Sequence, residues 1–175
     1  MKKITFILLA LIAGTVFAQD TNTETATASA GAEIIQPITI TKNNDLNFGR
    51  IIGTALGGTV TVDDADLRTS GATGILDPST TGTANISTAK FTITAAEGYL
   101  YGISIPAIVT LSGSGGADMI VTLNPYYEGS ALIPATTPKG TSTAETLMVG
   151  GDLAVGLVQG QGAYTANFDV TVTYE

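Results

Sequence analysis

The side chains that most often carry out chemistry are missing from this chain. Its 175 residues include no histidine, no cysteine and no tryptophan. A Ser-His-Asp or Cys-His mechanism cannot be built without them, nor can the usual zinc or haem ligation. Carboxylates remain, and a carboxylate pair can act as acid and base. The acids here fall mostly in turn-type stretches, where water keeps them ordinary. The reading is therefore of a non-enzyme, with no catalytic residue and no cofactor.

One acidic cluster could hold a cation. Asp63, Asp64 and Asp66 lie within four residues, and calcium takes several carboxylate and carbonyl oxygens on a bent loop. The spacing follows no regular ligand pattern, so the competing reading is a solvated turn supported by Asx hydrogen bonds. Asn85-Ile86-Ser87 fits a glycosylation sequon, a three-residue pattern short enough to arise by chance. Tyr126 and Tyr127 sit in a proline-bearing stretch. They read either as an exposed contact for sugar or protein, or as rings covering the end of a core.

The strongest pattern is at the C-terminus. Tyr164, Ala166, Phe168, Val170, Val172 and Tyr174 alternate with Ala163, Thr165, Asn167, Asp169, Thr171 and Thr173. Strict period-two alternation marks a strand with one buried and one wet face. Gly162 to Glu175 would span about 40 Å as a single strand. A segment this amphipathic must be covered by its own sheet or by another chain. Gly162, Tyr164, Phe168, Val170, Val172 and Tyr174 are thus the candidate assembly residues, with the choice between the two coverings open.

Composition sets the frame for these residues. Met1-Lys2-Lys3, the apolar run Ile4–Phe17 and the small-x-small pattern Val16-Phe17-Ala18 read as a helical secretory signal peptide over residues 1–18. A polar leader would follow over 19–25 and a single domain over 26–175. No later run is long enough for a membrane span. Export by the Sec route to the periplasm, cell surface or medium is expected. The absence of cysteine leaves no disulfide to staple the fold and points to a bacterial source. The net charge is −8, and loss of Lys2 and Lys3 takes it to −10. That acidity argues against nucleic acid and anionic membranes as partners.

Short apolar rows punctuated by turn signals fill the rest. Ala26–Ile34 alternates small residues with Thr, Ser and Gly and reads as a strand in a tight place. Pro37 interrupts it, and Ile38 and Ile40 then face inward. Lys42–Asp45 reads as a turn and Leu46–Gly49 as a short strand. Gly58–Val62 reads as a strand closed by the acidic turn, and Leu67–Leu76 as a small hairpin. Lys90–Thr94, Tyr101–Ile105, Val109–Leu111 and Met119–Leu123 give further rows. Asn124–Ala144 reads as irregular, and Leu147–Val149 and Leu153–Val155 as two strands joined at Gly150-Gly151-Asp152. With no helical period, this predicts an all-β chain: an antiparallel immunoglobulin-like β-sandwich of roughly eight to ten strands.

Four motifs in order, L-N-F-G at Leu46–Gly49, G-G-T-V-T-V at Gly57–Val62, L-M-V-G-G-D-L at Leu147–Leu153 and the C-terminal strand, resemble the secreted bacterial domain-of-unknown-function family 4402. More distantly, the ending is similar to that of spore-coat-protein-U-like pilins of the chaperone–usher type, with Tyr174 penultimate and Gly162 at the strand's start. That resemblance implies a sandwich lacking one strand. A periplasmic chaperone, and then a related subunit's N-terminal extension, would fill the gap by β-strand addition. The missing disulfide and the alanine-rich Ala26–Ile34 depart from the pilin pattern.

Two functional readings follow. One is an exported structural surface subunit whose partners are copies of itself or related subunits and a chaperone. The other is a self-contained binding or adhesion module that holds calcium, glycan or protein in its end loops.

Overall fold

The longest alternating row builds the longest strand. Thr146, Met148, Asp152 and Ala154 point to one side, while Leu147, Val149, Leu153 and Val155 are buried on the other. The computed structural model of the chain describes residues 23–71, 86–127, 130–131 and 138–175. Eleven strands occur among them, and eight of these have four residues or more. They are β1 (Thr39–Asn44), β2 (Gly58–Val62), β3 (Arg68–Ser70), β4 (Ala89–Thr94), β5 (Tyr101–Ser104), β6 (Ile108–Gly113), β7 (Met119–Tyr127), β8 (Ser130–Ala131), β9 (Glu145–Val155), β10 (Tyr164–Thr165) and β11 (Thr171–Tyr174). All named pairings are antiparallel, and no helix occurs among the described residues. The fold is all-β, as the sequence predicts.

The main sheet runs β1-β4-β9-β7-β6-β10, and β11 pairs with β5 in a second, two-stranded sheet. One edge of β9 is shared. Its first half pairs with β4, Ala89 opposite Val149, and its second half with β2, Val62 opposite Gly151. The core lies on the inward face of this sheet. Val60, Val62, Ile93, Val121, Leu147 and Leu153 are almost fully buried there, together with Tyr101 from β5. Half-buried Ile103, Val172 and Tyr174 pack against that core from the two-stranded sheet.

Several local readings change. Gly150-Gly151 is not a turn, because β9 runs through it without a break. Glycine is needed there because the backbone of β2 comes too close for a side chain; a Cβ on Gly150 would lie 2.4 Å from the carbonyl oxygen of Val62. Lys42–Asn44 continues β1 through a bulge instead of turning. Asn124–Tyr127 continues β7, with Pro125 opposite Val149. β6 reaches only Thr122 and β8 begins opposite Tyr126, so proline occupies a gap in that ladder where a missing N–H costs nothing. Leu46–Gly49 is not a strand; it holds one bridge, Asn47 to Ser87, and a turn at Gly49 with φ +70°. Arg68–Ser70 pairs back onto β2. The second half of the expected Leu67–Leu76 hairpin and the sequon's Asn85 lie outside the described residues, as does the expected signal peptide.

The chain divides into two units, Met1–Ile34 and Ile35–Glu175. In the first, the described residues 23–34 include no strand, and each is exposed, Ile34 at 97%. The expected strand over Ala26–Ile34 is absent there. Alanine has too little apolar surface to hold a strand down by burial.

Candidate functional site

The C-terminal segment alternates as its sequence dictates. Tyr164, Phe168, Val170, Val172 and Tyr174 are half-buried, and Thr165, Asn167, Asp169, Thr171 and Thr173 are exposed; Ala166 departs from the rule and is also exposed. It is not one long strand, however. β10 pairs with β6 in the main sheet, and β11 pairs with β5 in the other. The segment crosses between the sheets, and Ala166–Val170 has no strand partner among the described residues. β5 ends at Ser104 and β6 begins at Ile108, with Pro106, which has no N–H to give a ladder, between them.

β11 is tied to its own chain. The Tyr174 hydroxyl accepts a bond from the Ala96 N–H at 2.7 Å and lies 2.9 Å from the Gln36 carbonyl, to which it donates. The Tyr174 ring meets Tyr99 edge-on, with centroids 6.1 Å apart. This end of the last segment is covered from within. Its other edge carries no strand among the described residues, since β11 pairs with β5 alone.

Beside the crossing runs an apolar groove. A cavity of about 210 Å³ has Val109, Leu111, Val121 and Leu123 as its floor, with Leu46–Phe48 on one wall and Tyr164–Phe168 on the other. It shares Leu111 and Tyr164 with a larger hollow of about 600 Å³ under Gly49–Gly53 and Gln159–Ala163. A third, open hollow of about 620 Å³ lies at Ser104–Pro106 and Ala166–Asp169. Ala166–Asp169 of the unpaired stretch thus line one or both of the two hollows beside it. The Arg68 guanidinium fixes the Leu46–Arg50 wall by donating to the carbonyls of Phe48 at 2.9 Å and Arg50 at 2.7 Å. Nothing in the spacing of the sequence singles out Arg68 for this role, because the wall it braces has no regular structure.

The acidic turn is occupied by its own neighbours. Asp63 accepts from the N–H groups of Ala65 at 3.0 Å and Leu67 at 2.8 Å. Asp66, at φ +60°, accepts from the Thr88 N–H at 2.7 Å and pairs with the Lys90 ammonium at 2.8 Å. Its oxygens anchor the β2–β3 turn to β4. Among the described residues no group of three carboxylates is arranged to hold a metal. Of the three, Asp63 and Asp66 are engaged by backbone N–H groups and by Lys90.

The Lys90 hydrogen bond, then the Thr88 N–H, hold the Asp66 carboxyl down to about 2 from its ordinary 3.8. A depressed folded pKa stabilises the fold above the unfolded value and is lost as pH falls through the folded one. The melting temperature should therefore drop between pH 4 and pH 2, and Asp66→Asn should flatten that part of the curve. The pair is about one-third exposed, so the effect is about 1 kcal/mol or less.

The two aromatic candidates separate. Tyr127 faces the core, its hydroxyl 3.0 Å from that of Tyr101. Tyr126 is half-buried, and burial, with the charges of Asp64, Asp63 and Asp152, pushes its phenol pKa up. The loop beyond them lies largely outside the described residues.

The family pattern described as Domain of unknown function (DUF4402) matches residues 38–174. The chain belongs to this family. The DUF4402 match spans β1 through β11 and both walls of the groove, and it starts after the exposed 23–34 segment. No curated protein matches the chain.

Proposed function

We propose that this DUF4402 chain is an exported, non-enzymatic structural subunit of the bacterial surface, pilin-like in assembling by β-strand addition. One observation carries the reading: the final segment leaves Ala166–Val170 without a strand partner beside an apolar groove. A peptide laid there gains backbone hydrogen bonds from the open edge and pockets for alternate side chains. A head-to-tail contact of this kind does not close on itself and makes a fibre. The occupants are a periplasmic chaperone during export, then a segment of another copy or a related subunit.

The segment Ala26–Ile34 suits the donor role. It is exposed, alternating and outside the family match; because its alanines bury little apolar surface, backbone hydrogen bonds to the open edge would carry most of its affinity. The test uses the chain from Gln19 carrying Ala28→Asp and Ala30→Asp. Both positions are exposed, so the melting temperature should stay within about 1 °C, as for neutral surface changes. Light scattering after size exclusion should show multimers for the parent and monomers for the variant. A parent that is a stable monomer at every concentration, with or without a chaperone, removes the reading.

A further inference from the structure

We propose that the loop tip formed by Gly53–Gly57 and Gly156–Gly160 docks on a neutral lipid surface. It would insert Ile52, Leu56, Leu157 and Val158 into the boundary between headgroups and acyl chains.

Four large apolar residues meet at this end of the fold, yet none is buried. Leu56 is 85% exposed, Val158 76%, Leu157 71% and Ile52 44%. The two loops are locked together. The Val158 N–H donates to the Thr54 carbonyl at 3.0 Å, and a Cβ on Gly53 would lie 2.6 Å from the Gln159 carbonyl oxygen. Gln159 is itself fixed, donating to the Ala117 carbonyl at 2.5 Å and to the Tyr164 hydroxyl at 2.9 Å. Val158 has φ +51°, a conformation that β-branched residues rarely adopt. Strain of this kind persists where the surroundings enforce it, and it clusters at functional sites. Here it serves no burial, because the strained side chain points into water.

Charge and area select the occupant. No charged residue occurs from Ile51 to Val62, from Gly98 to Ala117 or from Leu153 to Phe168, in a chain whose net charge is −8. The Gly53–Gly57 and Gly156–Gly160 loops, and the Ser114–Gly116 turn that lies against Gly160 and Gln161, are neutral and rich in Gly, Ser and Gln. Four such side chains expose on the order of 400 Å² of apolar surface, the size of the largest patch on a typical monomer, which is often functional. A stable protein interface needs about 800 Å² from each partner, so this tip is too small for a lasting dimer. A bilayer interface sets no such minimum and takes apolar side chains to a depth of about 5–10 Å. The acidic remainder of the chain makes an uncharged, zwitterionic surface the preferred one. Insertion of four side chains to this depth is a peripheral contact.

Flotation of the chain from Gln19 with phosphatidylcholine vesicles tests this. The parent should float, and added phosphatidylglycerol should weaken its binding. Leu157→Ser with Val158→Asn should lower the bound fraction at least about tenfold, given the apolar area removed. Val158→Asn alone should hold or raise the melting temperature, because asparagine tolerates the left-handed region; lost binding would then not be lost folding. Leu157→Trp adds a single tryptophan whose emission should shift blue on binding. The Ala28→Asp, Ala30→Asp chain should float like the parent, which separates this contact from strand addition. A parent that stays with the aqueous phase, or a Leu157→Ser, Val158→Asn chain that floats as well as the parent, would overturn the proposal. So would a concentration-dependent dimer, without flotation, that Val158→Asn abolishes.

Discussion

Gly150→Val should destabilise the domain by about 3 kcal/mol or more, the upper range for forcing atoms into a packed core. The expected midpoint shift in urea follows from the place where three strands meet. At Gly150, β9 passes from its pairing with β4 to its pairing with β2 while holding β7 on its other edge. A Cβ there would stand 2.4 Å from the Val62 carbonyl oxygen and 3.4 Å from the Asp63 carbonyl carbon. Both are backbone atoms, so relief requires moving β2 and the Asp63–Asp66 turn, not rotating a side chain. Gly150→Ala should cost somewhat less by the same mechanism. Gly71→Ala is the control. Its Cβ would meet nothing closer than the Thr59 carbonyl oxygen at 4.0 Å, so its effect should stay within about 0.5 kcal/mol. Equal midpoints for Gly150→Val and Gly71→Ala would mean that β9 and β2 are not in the close register described.

That same glycine marks the limit of reading the chain from sequence. Gly-Gly-Asp between two apolar runs has the composition of a hairpin turn, and local composition cannot separate a turn from a close approach by a strand ninety residues away. The inward faces were legible because alternation is local: Val60 and Val62, Phe91 and Ile93, and Val121 and Leu123 each fall on the buried side. The same holds for the C-terminal parity from Phe168 to Tyr174. Its division between two sheets was not legible, since parity fixes which face is wet and says nothing about which neighbour supplies the ladder. Leu46–Phe48 followed a strand-like pattern but became a groove wall. Its buried Phe48 is held by Arg68 donating to the backbone, a long-range contact without periodicity. The acidic turn was correctly placed, but only the structure shows its carboxylate spent on Thr88 and Lys90.

The other large effect is expected at Tyr101, which joins the two sheets. β5 belongs to the two-stranded sheet, and the Tyr101 ring is fully buried against the main one. Its hydroxyl lies 2.7 Å from the Glu145 carboxyl oxygen on β9 and 3.0 Å from the Tyr127 hydroxyl on β7. Thr141 donates to the other Glu145 oxygen at 3.1 Å. Burial, then these two partners, push the Tyr101 phenol pKa upward, so it stays a donor at any ordinary pH. Tyr101→Phe keeps the ring but removes one hydrogen bond from each of Glu145 and Tyr127, which should cost about 1–3 kcal/mol. Tyr101→Ala also opens a ring-sized cavity and should cost about 3–5 kcal/mol or more, a large part of what a domain of this size has. The double variant Tyr101→Phe, Glu145→Leu removes both ends of the bond and should cost less than the sum of its parts in a double-mutant cycle. Additive costs would show that the hydroxyl and carboxyl do not interact. The groove offers a second readout. Its floor is on β6 and β7, while the wall that continues into β11 is held by the sheet that Tyr101 bolts down. On the strand addition proposed above, Tyr101→Phe should melt lower yet still form multimers, because the ring keeps the spacing of the sheets. Tyr101→Ala should lose assembly at temperatures where circular dichroism still reports folded strands.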